Sequence, residues 1–303
     1  MMSFLSSMPG AIAQGAIWGI MAVGLYLTFK ILDVADLTVD GSFGTGGAVL
    51  VVCVTSGMNV WLAMLIAVVA GALAGLVTGV FHTMFGIPAI LAGILTQLAL
   101  YSINLRIMGG KANVPLMGMK DQIVFSLGNI PKTLIFVSIF AVVLIAVLYW
   151  FFGTELGHSL RATGNNLAMA RANGINTNTN KILGIVISNA IVALSGAMLA
   201  QYQGFADVNM GRGAIVIGLA AVIIGDVLLG KVFKNFALRL LASIIGGIIY
   251  YIVITLILQT GIFNASDLKL FSAIVVACFL GFPFWQKKLR DNMKRRSASK
   301  EVK

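Results

Sequence analysis

GTELGHSLRATGNNLAMARANGINTNTNK, residues Gly153–Lys181, is a polar island between two strongly apolar stretches, 133–152 and 181–203. A segment this polar, bounded by runs of about 20 apolar residues, reads as a loop outside the membrane joining two spans. Reading outward from it, the same alternation extends over the chain. The 303 residues are 59% hydrophobic and 10% charged, with a mean hydropathy of +0.99. A soluble domain carries about a quarter charged residues. The fold class is therefore an all-α polytopic membrane protein.

About nine apolar runs are expected to be transmembrane helices: 11–32, 41–56, 60–81, 87–107, 133–152, 181–203, 213–230, 240–260 and 270–285. The second and last are short for the roughly 20 residues that cross the hydrocarbon core. Glycine-interrupted runs suggest broken or re-entrant segments. Residues 1–286 form one transmembrane domain, and 287–303 a basic tail. The N-terminus, MMSFLSSMPGAIAQ, has no basic region ahead of its apolar run, so that run is expected to remain as a span.

The formal net charge is +11. Short cytoplasmic loops carry excess Lys and Arg. That rule puts three segments on the cytoplasmic side: the tail WQKKLRDNMKRRSASKEVK, the loop with Lys231, Lys234 and Arg239, and the loop with Arg161, Arg171 and Lys181. Alternation places the N-terminus outside, with Lys111, Lys120, Asp121 and Lys132. Those basic residues make that loop the point where the pattern fits least. No aromatic platform interleaves with the tail's charge, so nucleic acid is not an expected partner. Cys53 and Cys278 sit in apolar runs, and His82 and His158 stand apart. Neither a disulfide framework nor a metal-ligand spacing is present.

Three local patterns add detail. Gly71, Gly75 and Gly79 form a small-residue stripe at helical spacing, which suits close helix packing in a membrane. The segments VADLTVDGSFGTGGAV (34–49) and FADVNMGRGAIVIGLA (205–220) resemble each other. Each has an aspartate after alanine, Asp36 or Asp207, ahead of a glycine-rich apolar run. Two related halves with interrupted spans are a feature of transporters. In the polar island, Ser159–Ala172 is expected to form one short helix. Leu160, Leu167, Met169 and Ala170 supply its apolar surface, and Asn173 and Gly174 stop it.

The stretch from Leu156 to Gly213, together with GLYLTFKILDVADLTVDGSFGTGGAV (24–49), resembles the permease subunits of ATP-binding cassette importers. The branch is that of branched-chain amino acid and ribose-type permeases. Within it the chain looks most like permeases of tryptophan- and tyrosine-type systems that work with lipoprotein-like binding proteins. The resemblance implies a multi-pass protein of a prokaryotic plasma membrane, with two permease copies, separate ATPase subunits and an extracytoplasmic substrate-binding protein. It also implies that the polar island is a coupling element docking on the ATPase. By position, Arg161, Gly164, Asn165, Asn166, Leu167, Met169, Arg171 and Gly174 would carry that contact. No GxxxxGK[ST] loop occurs in the chain. ATP and Mg²⁺ would thus belong to the partner, and no cofactor to this chain.

Polar residues within or beside the apolar runs are the candidates for a solute path: Asp36, Thr38, Asp40, Gln97, Asn104, Asn189, Gln201, Gln203 and Asp207. Neutral polar groups with a few charges suit a small organic solute, and the resemblance favours an amino acid. A sugar, nucleoside or vitamin stays open. So does an ion-coupled secondary transporter using Asp40, Asp207 or Asp226. A membrane enzyme is disfavoured, because no catalytic constellation recurs at helical spacing.

Overall fold

The computed structural model describes residues 2–116, 123–259, 270, 273–279 and 281. Among them the helices are α1 (Met2–Tyr26), α2 (Val39–Thr55), α3 (Val60–Thr83), α4 (Ala89–Ile107), α5 (Ile130–Phe152), α6 (Glu155–Asn165), α7 (Leu167–Ala172), α8 (Thr177–Gln203), α9 (Ala214–Leu229) and α10 (Phe236–Gln259). A π-helical turn, Leu27–Ile31, extends α1. Two three-residue strands, β1 (Asn113–Pro115) and β2 (Phe205–Asp207), pair antiparallel with Asn113 opposite Asp207. Apart from this clip the regular structure among the described residues is all helical, and the protein is a polytopic membrane protein.

Six helices among the described residues are long and apolar enough to cross a membrane: Ser7–Ile31, Val60–Thr83, Ala89–Ile107, Ile130–Phe152, Thr177–Gln203 and Phe236–Gln259. Two of the expected spans are shorter helices instead. At about 1.5 Å per residue, α2 with 17 residues and α9 with 16 reach only about 25 Å. The expected run 270–285 is described only in part, helical at 273–279. Lys120, Asp121 and the tail 287–303 lie outside the described residues.

α1 and α8 form the centre, and α3, α4 and α5 present leucine, isoleucine and valine outward. Such a surface would aggregate in water but is at home in lipid. The glycine stripe of α3 meets α8. A Cβ placed on Gly75 would lie 2.7 Å from the Ile185 carbonyl oxygen, and one on Gly79 would lie 3.0 Å from the Ile182 Cα. Two backbones therefore touch where a side chain would separate them.

α8 gives a ruler along the bundle. Its N-terminus adjoins α6 and α7, and its C-terminus runs into β2. Asn189, near its middle, bonds Asp36 just ahead of α2 and Ser42 within its first turns. α2 thus begins at mid-height and runs toward the β1–β2 end, where Gly47 approaches Ala200. α9 begins beside Asp40 at that same height and runs the other way, to an ion pair between Asp226 and Lys30. The two short helices start together in the middle of the molecule.

The polar island departs from the single helix expected over Ser159–Ala172. Asn166 takes an extended conformation (φ −156°, ψ 106°) and splits it into α6 and α7. Its Oδ1 accepts the Met169 N–H at 3.0 Å, the preferred geometry for asparagine at a helix start. The expected stop does occur: Gly174 has φ +77°, and the Ile175 N–H returns to the Ala170 carbonyl at 3.0 Å.

Candidate functional site

The polar residues singled out along the apolar runs separate into two groups. The first group is a closed network in the core. Asp36, 2% exposed, accepts the Thr38 backbone N–H through Oδ1 at 2.9 Å and Asn189 Nδ2 through Oδ2 at 2.7 Å. Ser42 Oγ donates to Asn189 Oδ1 at 2.6 Å. The Thr38 hydroxyl lies 2.6 Å from that of Thr78, which donates to Thr96 at 2.8 Å. These bonds join the break before α2 to α3, α4 and α8. In a bundle with little hydrophobic force between its helices, such cross-helix bonds set the register.

The second group lines a cleft of about 390 Å³ that holds Asp40, Gly41, Gln97, Leu98, Tyr101, Asn104, Val208 and Arg212. Asp40, Gln97 and Asn104 were expected on a path. Tyr101 and Arg212 were not, although an arginine inside the break GRG (211–213) is itself a signal, because charge within a membrane segment is expensive unless used. The Arg212 guanidinium lies 5.5 Å from the centre of the Tyr101 ring, within cation–π range. Asn104 is 2% exposed, and its Oδ1 has no hydrogen-bond partner among the described residues. A buried acceptor left unmet costs about 1–3 kcal/mol, so this one is poised for a donor.

Asp40 builds the cleft as well as lining it. Its carboxylate accepts the Gly213 N–H at 2.9 Å and the Ile215 N–H at 2.8 Å, capping α9 from across the molecule. Gly211 lies against the Asp40 carbonyl, where no side chain fits. The first turn of α2 thus lines the cleft, and Arg212 stands two residues ahead of α9, whose N-terminus Asp40 caps.

Asp207 sits at the end of β2. Its Oδ1 accepts the Asn209 N–H at 2.8 Å, and its Oδ2 receives Asn113 Nδ2 at 3.5 Å. Asp36 and Asp207 thus make the same turn, each bonding the N–H two residues on. The likeness ends there: α2 starts three residues after Asp36, and α9 seven after Asp207. Gln201 is buried, and its Oε1 accepts the Val124 N–H at 3.2 Å. Gln203 ends α8, half-buried. Among the described residues no group of three His, Cys, Asp or Glu side chains is placed to hold a metal.

At the opposite end, α6 is fastened to α8 by bonds from Asn180 Nδ2 to Thr163 at 2.9 Å and from Ser159 to Asn180 Oδ1 at 3.3 Å. Gly164 packs on the Ile31 carbonyl, and Asn165 ends the helix. Arg161 turns inward, 4.3 Å from the Phe236 ring centre and 5.2 Å from that of Phe152. Arg171 Nε donates to Thr177 at 3.0 Å. Leu156, Leu167 and Met169 are left exposed at 57%, 38% and 52%, an apolar patch on a polar loop.

Comparison with known proteins adds the lineage. A tyrosine transport system permease protein of Clostridioides difficile (strain R20291) is 42% identical over 276 residues, 91% of each chain. The uncharacterized protein RP368 of Rickettsia prowazekii (strain Madrid E) is 34% identical, over 88% of this chain and 94% of that one. An autoinducer 2 import system permease protein LsrC of Yersinia pseudotuberculosis is 29% identical, over 69% of this chain and 58% of its own length. Among solved structures, PsaBC from Streptococcus pneumoniae in complex with Fab aligns with a TM-score of 0.40 and 18% identity, covering 83% of this chain and 90% of that one. Residues 7–282 match the family described as the branched-chain amino acid transport system permease component, and the chain belongs to that family of ABC-type membrane permeases.

Proposed function

We propose that this chain is one half of an ATP-driven importer whose solute is an amino acid, and that the Asp40–Arg212 cleft lies on the solute's path. The observation that carries the reading is the meeting of two half-length helices at a cleft holding Arg212, Tyr101 and the unmet Asn104 Oδ1. Half-helices whose N-termini converge in mid-membrane are a transporter device for holding anionic groups. Arg212 suits a carboxylate, Asn104 Oδ1 an ammonium, and the Tyr101 ring an aromatic side chain. The tyrosine transport relative at 42% identity supports that choice of solute.

In this reading α2 and α9 are broken spans, and a second copy of the chain closes the path across the face bearing α4 and the cleft. The α6–α7 end and the tail beyond residue 287 are cytoplasmic. α6 and α7 form the coupling element, with Leu156, Leu167 and Met169 seated on an ATPase subunit that binds ATP and Mg²⁺. An extracytoplasmic binding protein delivers the solute at the β1–β2 end.

The test is uptake into proteoliposomes holding the permease with its ATPase and binding protein. Radiolabelled tyrosine should accumulate only with ATP, and Arg212→Gln should lower the initial rate at least about tenfold, as expected for loss of a charged hydrogen bond. Accumulation that follows an imposed proton or sodium gradient without ATP would replace this reading with an ion-coupled one.

A further inference from the structure

A second cavity, about 750 Å³, lies at the α6–α7 end, far from the solute cleft, and is lined by Lys30, Asp33, Arg161, Lys234 and Arg239 with Tyr26, Phe29 and Phe236 among its walls. We propose that it binds a phosphate-bearing anion, either the headgroup of an anionic phospholipid or free phosphate.

Four cations from separate elements converge here: Lys30 from the π-turn, Arg161 from α6, Lys234 from the loop before α10, and Arg239 from the first turn of α10. Two carboxylates face them. Asp226 of α9 pairs with Lys30 at 2.9 Å, and Asp33 lines the cavity. Among the described residues neither Arg161 nor Lys234 has a carboxylate within ion-pair distance. The Arg161 guanidinium packs beside the rings of Phe152 and Phe236, 5.2 and 4.3 Å from their centres. Gathered cations repel one another unless an anion sits between them. Guanidinium groups suit phosphate oxygens, and that of Arg161 is oriented by its two rings.

The cavity lies at the ends of α1, α6 and α10, which under the proposed topology is the level of the headgroups. Phe29, 42% exposed beside Lys30, offers an acyl chain an apolar rim. Basic pockets between membrane helices bind anionic headgroups in this way.

The test places the purified full chain in phosphatidylcholine nanodiscs doped with phosphatidylglycerol and counts retained lipid by native mass spectrometry, with and without millimolar inorganic phosphate. Phosphatidylglycerol should be retained over phosphatidylcholine. The double variant K234Q/R239Q should weaken retention about twenty-five-fold, at roughly fivefold per basic residue near the surface. Lys132→Gln, at the far end of α5, should change nothing. Displacement of the lipid by phosphate would identify free phosphate as the ligand, and persistence would identify the headgroup. Lys234 is exposed, so Lys234→Gln alone keeps the test valid if the double variant fails to fold, and Lys234→Arg should restore binding. Equal retention of both lipids, or retention indifferent to Lys234→Gln, overturns the proposal. So does a variant that leaves lipid untouched but loses the ATPase, which would make the cavity a socket for an acidic peptide.

Discussion

Asn189→Ala should be among the most damaging single changes in the bundle. Asn189 is fully buried and serves two partners from another part of the chain, Asp36 at 2.7 Å and Ser42 at 2.6 Å. Alanine removes both bonds and strands both groups. Each buried polar group left unmet costs about 1–3 kcal/mol, so the loss should be about 2–6 kcal/mol, with the carboxylate of Asp36 at the upper end. Replacing the carboxylate too should relieve part of that cost. In Asp36→Ala/Asn189→Ala the stranded carboxyl group is gone, and the double variant should be more stable than the sum of the single losses by about 1–3 kcal/mol. The assay is equilibrium unfolding in mixed micelles of the four proteins of this cycle, followed by tryptophan fluorescence. A coupling energy below about 0.5 kcal/mol, the level of independent sites, would refute the idea that Asp36 and Asn189 form one buried unit.

Gly75→Leu should abolish monodisperse protein on size exclusion, while Gly75→Ala should lower stability by about 1–3 kcal/mol, because a Cβ there would press on the Ile185 carbonyl; normal behaviour of Gly75→Leu would mean that α3 and α8 do not touch. Asp40→Ala should cost about 1–2 kcal/mol of stability through loss of the α9 cap, and Asp40→Asn less, since one amide oxygen still accepts one N–H; equal losses would show that the cap is not the cause. Leu167→Asp should detach the ATPase in co-purification, on the scale of about 2 kcal/mol for a buried anchor, with the membrane bundle intact; undiminished co-purification would move the docking surface elsewhere. Asn178→Cys, exposed at the α8 start, in a chain lacking Cys53 and Cys278, should resist a membrane-impermeant thiol reagent in intact cells, whereas Asn113→Cys at the other end should react; labelling of Asn178→Cys from outside would invert the topology.

Much of the architecture is local and was legible in the residues. Runs such as 60–81 and 133–152 must be helical because lipid offers their backbones no other partner. The Asn173–Gly174 stop and the turns at Asp36 and Asp207 follow from side chains that bond the backbone nearby. The glycines of α3 announced a close neighbour but not that it would be α8. Which face of a helix turns inward was not legible. α5 is the most apolar span, with a mean hydropathy of 2.8, yet only 17% of it is buried; α1, at 1.5, is 83% buried. In water an apolar face must turn inward, but lipid accepts it as readily as protein does, so apolarity no longer marks the core.

The Asp40–Arg212 cleft divides in the same way. Asp40, Gln97 and Asn104 stood out in the sequence because polar groups in apolar runs are costly, but so did Asp36, Thr38 and Asn189. Only the tertiary structure separated them: Asp36 meets Asn189 across 153 residues in a closed core network, whereas Asp40 caps α9 beside an open cleft and Asn104 Oδ1 has no partner among the described residues. The break at Asn166 is not legible in the sequence, because asparagine serves equally inside a polar helix or as the start of a new one, and the packing of Gly164 on Ile31 is a long-range fact. Helix content, membrane class and the stop at Asn173–Gly174 belong to the sequence, since they depend on backbone hydrogen bonds and side chains a few residues apart. The start of α2 and α9 at one height, with Asp40 of the first capping the second 175 residues away, belongs to the fold alone, because nothing local encodes which distant N–H groups a carboxylate will meet.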